Sequence, residues 1–321
     1  MPRYSLLRRT VKALPPIRRL VEQRDALRAE LERLREPVPV ERSESQELRF
    51  PIGHYYSPIP RMEEVRAREA EIFAVVESLP ALDMRPSAQL DLVAKLARFY
   101  TEQPFSETPS EGLRYHFANG WFQHADGLIL YGLLRHLRPQ RVIEIGSGFS
   151  SALMIDTNEL FLDGRARFTF IDPHPERLLG VLHERDRGRL EIVSKPAQQV
   201  DVELFGELGP GDILFVDSSH VCRVGSDVNK IFFEILPRLK VGVIIHLHDI
   251  FHPFEYPKDW VYMGRFFTEA YLARAFLMYN HAFQVVLSNS FLHKFHLEQV
   301  KSSMPLWGTR EGASLWLERV S

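Results

Sequence analysis

The chain has 321 residues, 45% of them hydrophobic, and a formal net charge of −2, so it can bury a large core and has no excess charge to draw it to nucleic acid or an anionic membrane. Its single cysteine, Cys222, excludes an internal disulfide and a multi-cysteine zinc site, which fits a reducing cytoplasmic setting. No apolar run reaches the roughly 20 residues that cross a bilayer, and the N-terminus lacks the apolar core of a secretory signal.

Residues 1–35 carry six basic and no acidic residues between Arg3 and Arg19, followed by Leu20, Leu27 and Leu34 at a spacing of seven. That spacing predicts a basic, amphipathic, coiled-coil-like helix. A solvated helix, a dimerising helix that would make the protein a homodimer, and a membrane-surface or targeting segment all fit it. Residues 36–61 contain Pro37, Pro39, Pro51, Pro58 and Pro60 and read as a linker. The end of that linker, "HYYSPIP" from His54 to Pro60, is aromatic enough to serve as an active-site loop. Helical patterns at 62–78, 87–102 and 121–137 make a helical cap of residues 62–138.

From 139 to 321 the pattern changes to short apolar strands separated by helices. The strands are "RVIEI" (141–145), "RFTFID" (167–172), "LEIVS" (190–194), "DILFVD" (212–217) and "VGVIIHLHD" (241–249), with helices near 150–161, 175–186, 199–206 and 222–239. Continuous apolar strands alternating with helices imply an α/β domain with a parallel sheet buried on both faces, a Rossmann-like doubly wound fold. After a helix near 260–279, "FQVVLS" (283–288) and "ASLWLER" (313–319) add two strands with no clear helix between them. They are expected as an antiparallel pair at one edge, which makes seven strands in all.

In such a sheet ligands bind beyond the carboxyl ends of the strands. The first strand ends in Glu144-Ile145-Gly146-Ser147-Gly148-Phe149-Ser150-Ser151. Two glycines let the backbone turn and approach a ligand, and Ser150 or Ser151 can cap the helix that follows. A third glycine, needed for the dinucleotide fingerprint G-x-G-x-x-G, is replaced by Ser151. Glu144, two residues before the first glycine, repels a pyrophosphate but attracts an amino-acid-like cation. Asp172, about 24 residues past the turn, sits where an acid takes both hydroxyls of a ribose, or where it simply caps a helix before Pro173. The fourth and fifth strands end in Asp217-Ser218-Ser219-His220 and His246-Leu247-His248-Asp249. Two acids and up to three histidines there can hold a divalent metal, or form a base whose tautomer an aspartate fixes, or be merely structural.

These residues resemble class I S-adenosylmethionine-dependent methyltransferases over about residues 115–321. "VIEIGSGFSS" is similar to the first cofactor motif and "FIDPHPERL" to the ribose-binding second strand. "DILFVDSSH" and "VGVIIHLHDIFHPFEYP" resemble the fourth and fifth strands of a bacterial subgroup associated with sugar and polysaccharide genes. The resemblance implies that Glu144 approaches the methionine amino group, with Gly146, Ser147, Gly148 and Ser150 lining the cofactor. It implies Asp172 on the ribose, Gln198 beside the adenine, and Asn119 and Phe122 closing the site. Asp217 and Asp249 match positions at which catechol-type and macrolide-sugar O-methyltransferases hold magnesium, but the residue beside the second acid is His248, so metal dependence stays open.

The expected reaction is O-methylation of a sugar or other hydroxyl-bearing small molecule or glycan, with S-adenosyl-L-methionine as cofactor. His248 is the expected base, His220 its alternative or a substrate contact, and Asp249 an orienting group. The aromatic stretch "FHPFEYPKDW" after Asp249 fits either a substrate lid or packing over the sheet. An NAD(P)-dependent oxidoreductase and a non-catalytic cofactor-binding module remain as alternatives.

Overall fold

A computed structural model describes residues 49–186 and 188–321. The helix and dimer contact expected within 1–35, and the linker up to residue 48, lie outside the described residues. The chain divides into two units, Met1–Ser57 and Pro58–Ser321. In the described part of the first, the Phe50 ring stacks on His54 with centres 4.8 Å apart, and the Tyr56 N–H donates to His54 Nδ1.

The second unit opens with short helices α1 (Met62–Ala67) and α2 (Glu69–Ile72), then α3 (Pro86–Leu96), which tightens into a 3₁₀ turn at Ala97–Glu102. Helix α4 (His124–Leu137) is buried from His124 through Leu134. It can be buried over most of its length because α3, the helix after β1 and a 3₁₀ turn at Pro305–Thr309 pack around it.

Strands β1 (Arg141–Ile145), β2 (Arg167–Ile171), β3 (Glu191–Val193), β4 (Ile213–Val216) and β5 (Ile244–Leu247) are parallel to one another. Between them run α5 (Phe149–Phe161), α6 (Glu176–Val181) and α7 (Asp227–Lys230), the last continuing through a π turn to a 3₁₀ turn that contains Pro237. Beyond β5 come α8 (Lys258–Tyr262), α9 (Glu269–Leu277), β6 (Phe283–Ser288), α10 (Asn289–Phe295), α11 (Leu297–Ser303) and β7 (Leu315–Arg319). The order across the sheet is β3-β2-β1-β4-β5-β7-β6. β7 runs antiparallel to both β5 and β6, so the expected antiparallel pair does occupy one edge.

One expectation is corrected. Two helices and a 3₁₀ turn lie between β6 and β7, where no helix was foreseen. Each helix is only seven residues long, and α11 buries Val300 alone, so neither writes a full apolar stripe into the sequence.

The order reverses between β1 and β4, and the crevice beyond their carboxyl ends is the place where this architecture binds ligands. No described helix is long and apolar enough to cross a membrane.

Candidate active site

The turn after β1 brings two strands into close contact. Gly146 has φ +83°, and a Cβ there would lie 1.8 Å from the Asp217 carbonyl oxygen at the end of β4. Only glycine satisfies both demands. The Gly146 N–H donates to the Ile171 carbonyl and the Asp217 N–H to the Ile145 carbonyl, so three strand ends are sewn together at this point.

Glu144 lies beneath the turn, fully buried, with its two carboxyl oxygens taken by the Ser150 and Ser151 hydroxyls. Burial pushes its pKa up to about 8 against the pull of those two hydrogen bonds. Ser151 Oγ also accepts the Gly148 N–H at 2.9 Å, which fixes the entry to α5. Glu144 and Ser150 thus brace the turn from behind.

Asp172 braces it from the front. One carboxylate oxygen accepts Ser147 N–H at 2.9 Å and Ser147 Oγ–H at 2.8 Å; the other accepts the His174 N–H at 2.8 Å. Asp172 is half-buried. Gln198 is exposed on a 3₁₀ turn (Ala197–Gln199) that follows β3.

On the other side of the turn, Asn119 spends its whole amide on its own loop. Its Oδ1 accepts the Trp121 and Phe122 N–H groups at 2.8 Å, and its Nδ2 donates to the His116 and Phe122 carbonyls at 2.7 Å. That loop sets Phe122 with its ring centre 5.3 Å from His248.

The three histidines at the strand ends divide by environment. His246 is fully buried, stacked on Phe215 at 3.8 Å, with Nε2 at 2.9 Å from Ser314 Oγ. Ser314 Oγ donates in turn to Asp126 on the first turn of α4. Burial holds the pKa of His246 well below the ordinary value, so it is a neutral structural ring. His220 is clasped by three acids: Nδ1 lies 2.9 Å from Glu269, and Nε2 lies 3.3 Å from Asp217 and 3.5 Å from Asp249. Burial opposes its charge, but the hydrogen bonds and charges of Asp217 and Glu269 prevail and raise its pKa well above the ordinary value. Burial likewise works against the Asp217 carboxylate, yet the charges of His248 and His220 hold its pKa well below the usual range. Asp217 and Asp249 therefore both turn to the His220 ring. Among the described residues no group of three or more His, Cys, Asp and Glu side chains is arranged to hold a metal ion.

His248 is different. It is buried, and among the described residues its ring makes no hydrogen bond; its Nδ1 is unpartnered and its Nε2 stands 3.7 Å from Asp249. Burial favours its neutral ring, but the charges of Asp217, Asp249 and Asp126 outweigh this and raise its pKa. Past Asp249, which has φ +57°, the aromatic stretch turns inward: Phe254 and Tyr256 are buried, and Tyr256 Oη accepts the Ala270 N–H at 3.0 Å. Its rings lie against neighbouring segments: Phe251 on Trp260, His252 on Phe291 and Phe295, and Tyr256 on Phe267 and Tyr271.

Sequence reasoning missed Asp126, Glu269 and Ser314, which orient the histidines. Asp126 carried a signal, an acid at the head of the apolar helix "HADGLILYGLL"; Glu269 and Ser314 carried none.

A seven-stranded sheet of this order, with a glycine turn after β1 and an acid after β2, defines a Rossmann-like methyltransferase fold. A family profile described as a methyltransferase domain matches residues 143–250. An uncharacterised protein of Archaeoglobus fulgidus is 36% identical over 165 residues, half of this chain and 73% of that one. Among solved structures, the SAH-bound methyltransferase PaMTH1 of Podospora anserina is 17% identical with a TM-score of 0.42, covering 83% of this chain and 99% of that one. The O-methyltransferase TomG of Streptomyces achromogenes, in complex with SAM, is 14% identical with a TM-score of 0.40, covering 81% and 97%. Residues 143–250 thus match a methyltransferase domain, set in a Rossmann-like methyltransferase fold.

Proposed function

We propose that the crevice at the β1–β4 reversal transfers a methyl group from S-adenosyl-L-methionine to a hydroxyl of a small molecule, a sugar or a glycan, with His248 as general base. The observation that carries this reading is the contrast among the three histidines: the rings of His246 and His220 are committed to protein partners, and the His248 ring makes no hydrogen bond among the described residues. The cofactor reading rests on the Gly146 cradle, which a Cβ would fill. When bound, the cofactor supplies an electrophilic methyl on a sulfonium.

The turn at Gly146, Ser147 and Gly148 would lie along the cofactor, and Asp172 would exchange its bonds to Ser147 for the ribose hydroxyls. Gln198 would reach the adenine, and Asn119 would act by holding Phe122 and Trp121 in place. Glu144 and Ser150 keep the turn in shape. His248 takes the hydroxyl proton as the oxygen attacks, while Asp249 steadies the resulting imidazolium and His220 holds Asp217 and Asp249 apart from each other. Alignment of oxygen and methyl contributes up to about 7–11 kcal/mol in ideal cases. A reducing cytoplasm suits the lone Cys222 thiol.

His248→Ala is expected to lower turnover by about 10²–10⁴ with cofactor affinity nearly unchanged. Turnover equal to the parent's, measured with radiolabelled methyl donor on an accepted hydroxyl substrate, removes His248 from the chemistry.

A further inference from the structure

At the strand ends four ionisable side chains from three segments stand in a row, acid alternating with histidine. Glu269, the first residue of α9, lies 2.9 Å from His220 Nδ1. The Nε2 atom of that ring lies 3.5 Å from one oxygen of Asp249, and the other Asp249 oxygen lies 3.7 Å from His248 Nε2. Glu269 is 0% exposed, and its second oxygen has no hydrogen-bond partner among the described residues. A buried carboxylate oxygen without a partner destabilises a fold, so the residue that carries it calls for a reason.

The start of α9 also holds His220 by its backbone. The Thr268 and Glu269 N–H groups donate to the His220 carbonyl at 2.9 and 3.1 Å, and Thr268 Oγ1 accepts the Cys222 N–H at 2.7 Å. His220 has φ +59° and Asp249 φ +57°, a conformation uncommon outside glycine that persists where the surroundings enforce it. One helix start therefore fixes His220 twice, by its carbonyl and by its ring. A carboxylate on Nδ1 sets the plane and the tautomer of an imidazole, and it leaves Nε2 as the atom turned to Asp249.

We propose that Glu269 is a positioning residue for methyl transfer, acting through His220 and Asp249 on His248. This rests on the reading of His248 as base given above and adds the residue that anchors the far end of the row. With the His220 ring pinned, Asp249 has a fixed neighbour on one side and keeps its other oxygen toward His248. With the pin removed, the ring turns about its side-chain bonds and Asp249 loses that neighbour.

Long-range ¹H–¹⁵N NMR of protein labelled on the histidine nitrogens reads the row without any acceptor. Glu269→Gln, close to the same size, is expected to shift the ring resonances of His248 as well as those of His220. In a His220→Asn background the same substitution should leave His248 unmoved, since the link is gone. His248 resonances that stay in place in Glu269→Gln, or that shift equally with and without His220, overturn the proposal. If Glu269→Gln does not fold, Glu269→Asp, which keeps the charge and withdraws it by one methylene, enters the same comparison. Turnover is then measured with radiolabelled S-adenosylmethionine on any methyl glycoside or simple phenol that the parent methylates. There kcat should fall about 10–100-fold, less than the loss expected for the base itself, with KM within about threefold. A loss confined to KM also overturns the proposal. Parental turnover in His248→Ala sinks the base reading instead, a result distinct from unmoved His248 resonances.

Discussion

Glu144 is a carboxyl buried under the turn it helps to build, and its folded pKa of about 8 makes it a proton-bearing group through most of the neutral range. The sign of its effect on stability follows. In the unfolded chain the carboxyl ionises near its ordinary value, about 4.3, and in the folded protein only near 8, so folding favours the protonated form. The contribution is fully present below the unfolded value and is lost as pH rises through the folded one. Glu144→Gln mimics the protonated acid, with one acceptor and one donor facing the two serines. Relative to the parent it should gain about 1–4 kcal/mol between pH 5 and pH 9, read from urea unfolding at the two pH values. A gap between variant and parent that does not change with pH would show that Glu144 ionises freely in the fold.

At the scale of elements, helix α4 is joined to the segment before β7 by one acid. Asp126 accepts hydrogen bonds from Asn289 Nδ2 at 2.9 Å, Ala313 N at 3.0 Å, Ser314 N at 3.0 Å and the Ser314 hydroxyl. Asp126→Ala leaves these buried donors without an acceptor and should cost about 3–5 kcal/mol, read as a lower urea midpoint with an unchanged slope. The strands of this layer were legible because parallel strands buried on both faces read as continuous apolar runs. The helices were less so. The pattern at 222–239 breaks into α, π and 3₁₀ turns around Pro237, which cannot continue an α-helical ladder. The glycine turn, Asp172 and the four strand-end residues Asp217, His220, His248 and Asp249 were all readable as strand termini.

Across the second unit, Arg114 ties distant segments together through a buried charge. Its side chain is 0% exposed and bonded to Asp156 on α5 and to Asp186 in a 3₁₀ turn, with side chains 1% and 4% exposed. It also reaches Glu159, so one guanidinium joins the loop before α4, α5 and the segment before β3. Burial alone would raise the pKa of Asp186, but the Arg114 hydrogen bond prevails and lowers it. The stability this gives is present above the ordinary aspartate value and is lost as pH falls through the lowered one. Arg114→Met strands two buried carboxylates and should cost about 3–5 kcal/mol at neutral pH. Adding Asp156→Asn and Asp186→Asn to it should recover part of that loss in thermal unfolding; no recovery would mean the arginine acts by packing alone.

Periodicity and residue type in the chain were sufficient to determine the alternating strands and helices, the turn after β1 and the acids and histidines that end the strands. Those are local properties, written into consecutive residues by backbone sterics and by which side chains tolerate burial. The surroundings of two of the histidines come from distant segments: Ser314 lies 68 residues from His246, and Glu269 lies 49 from His220. A proton's position depends on which donor or acceptor the folded chain sets beside it, and that proximity exists only once the sheet and helices have packed.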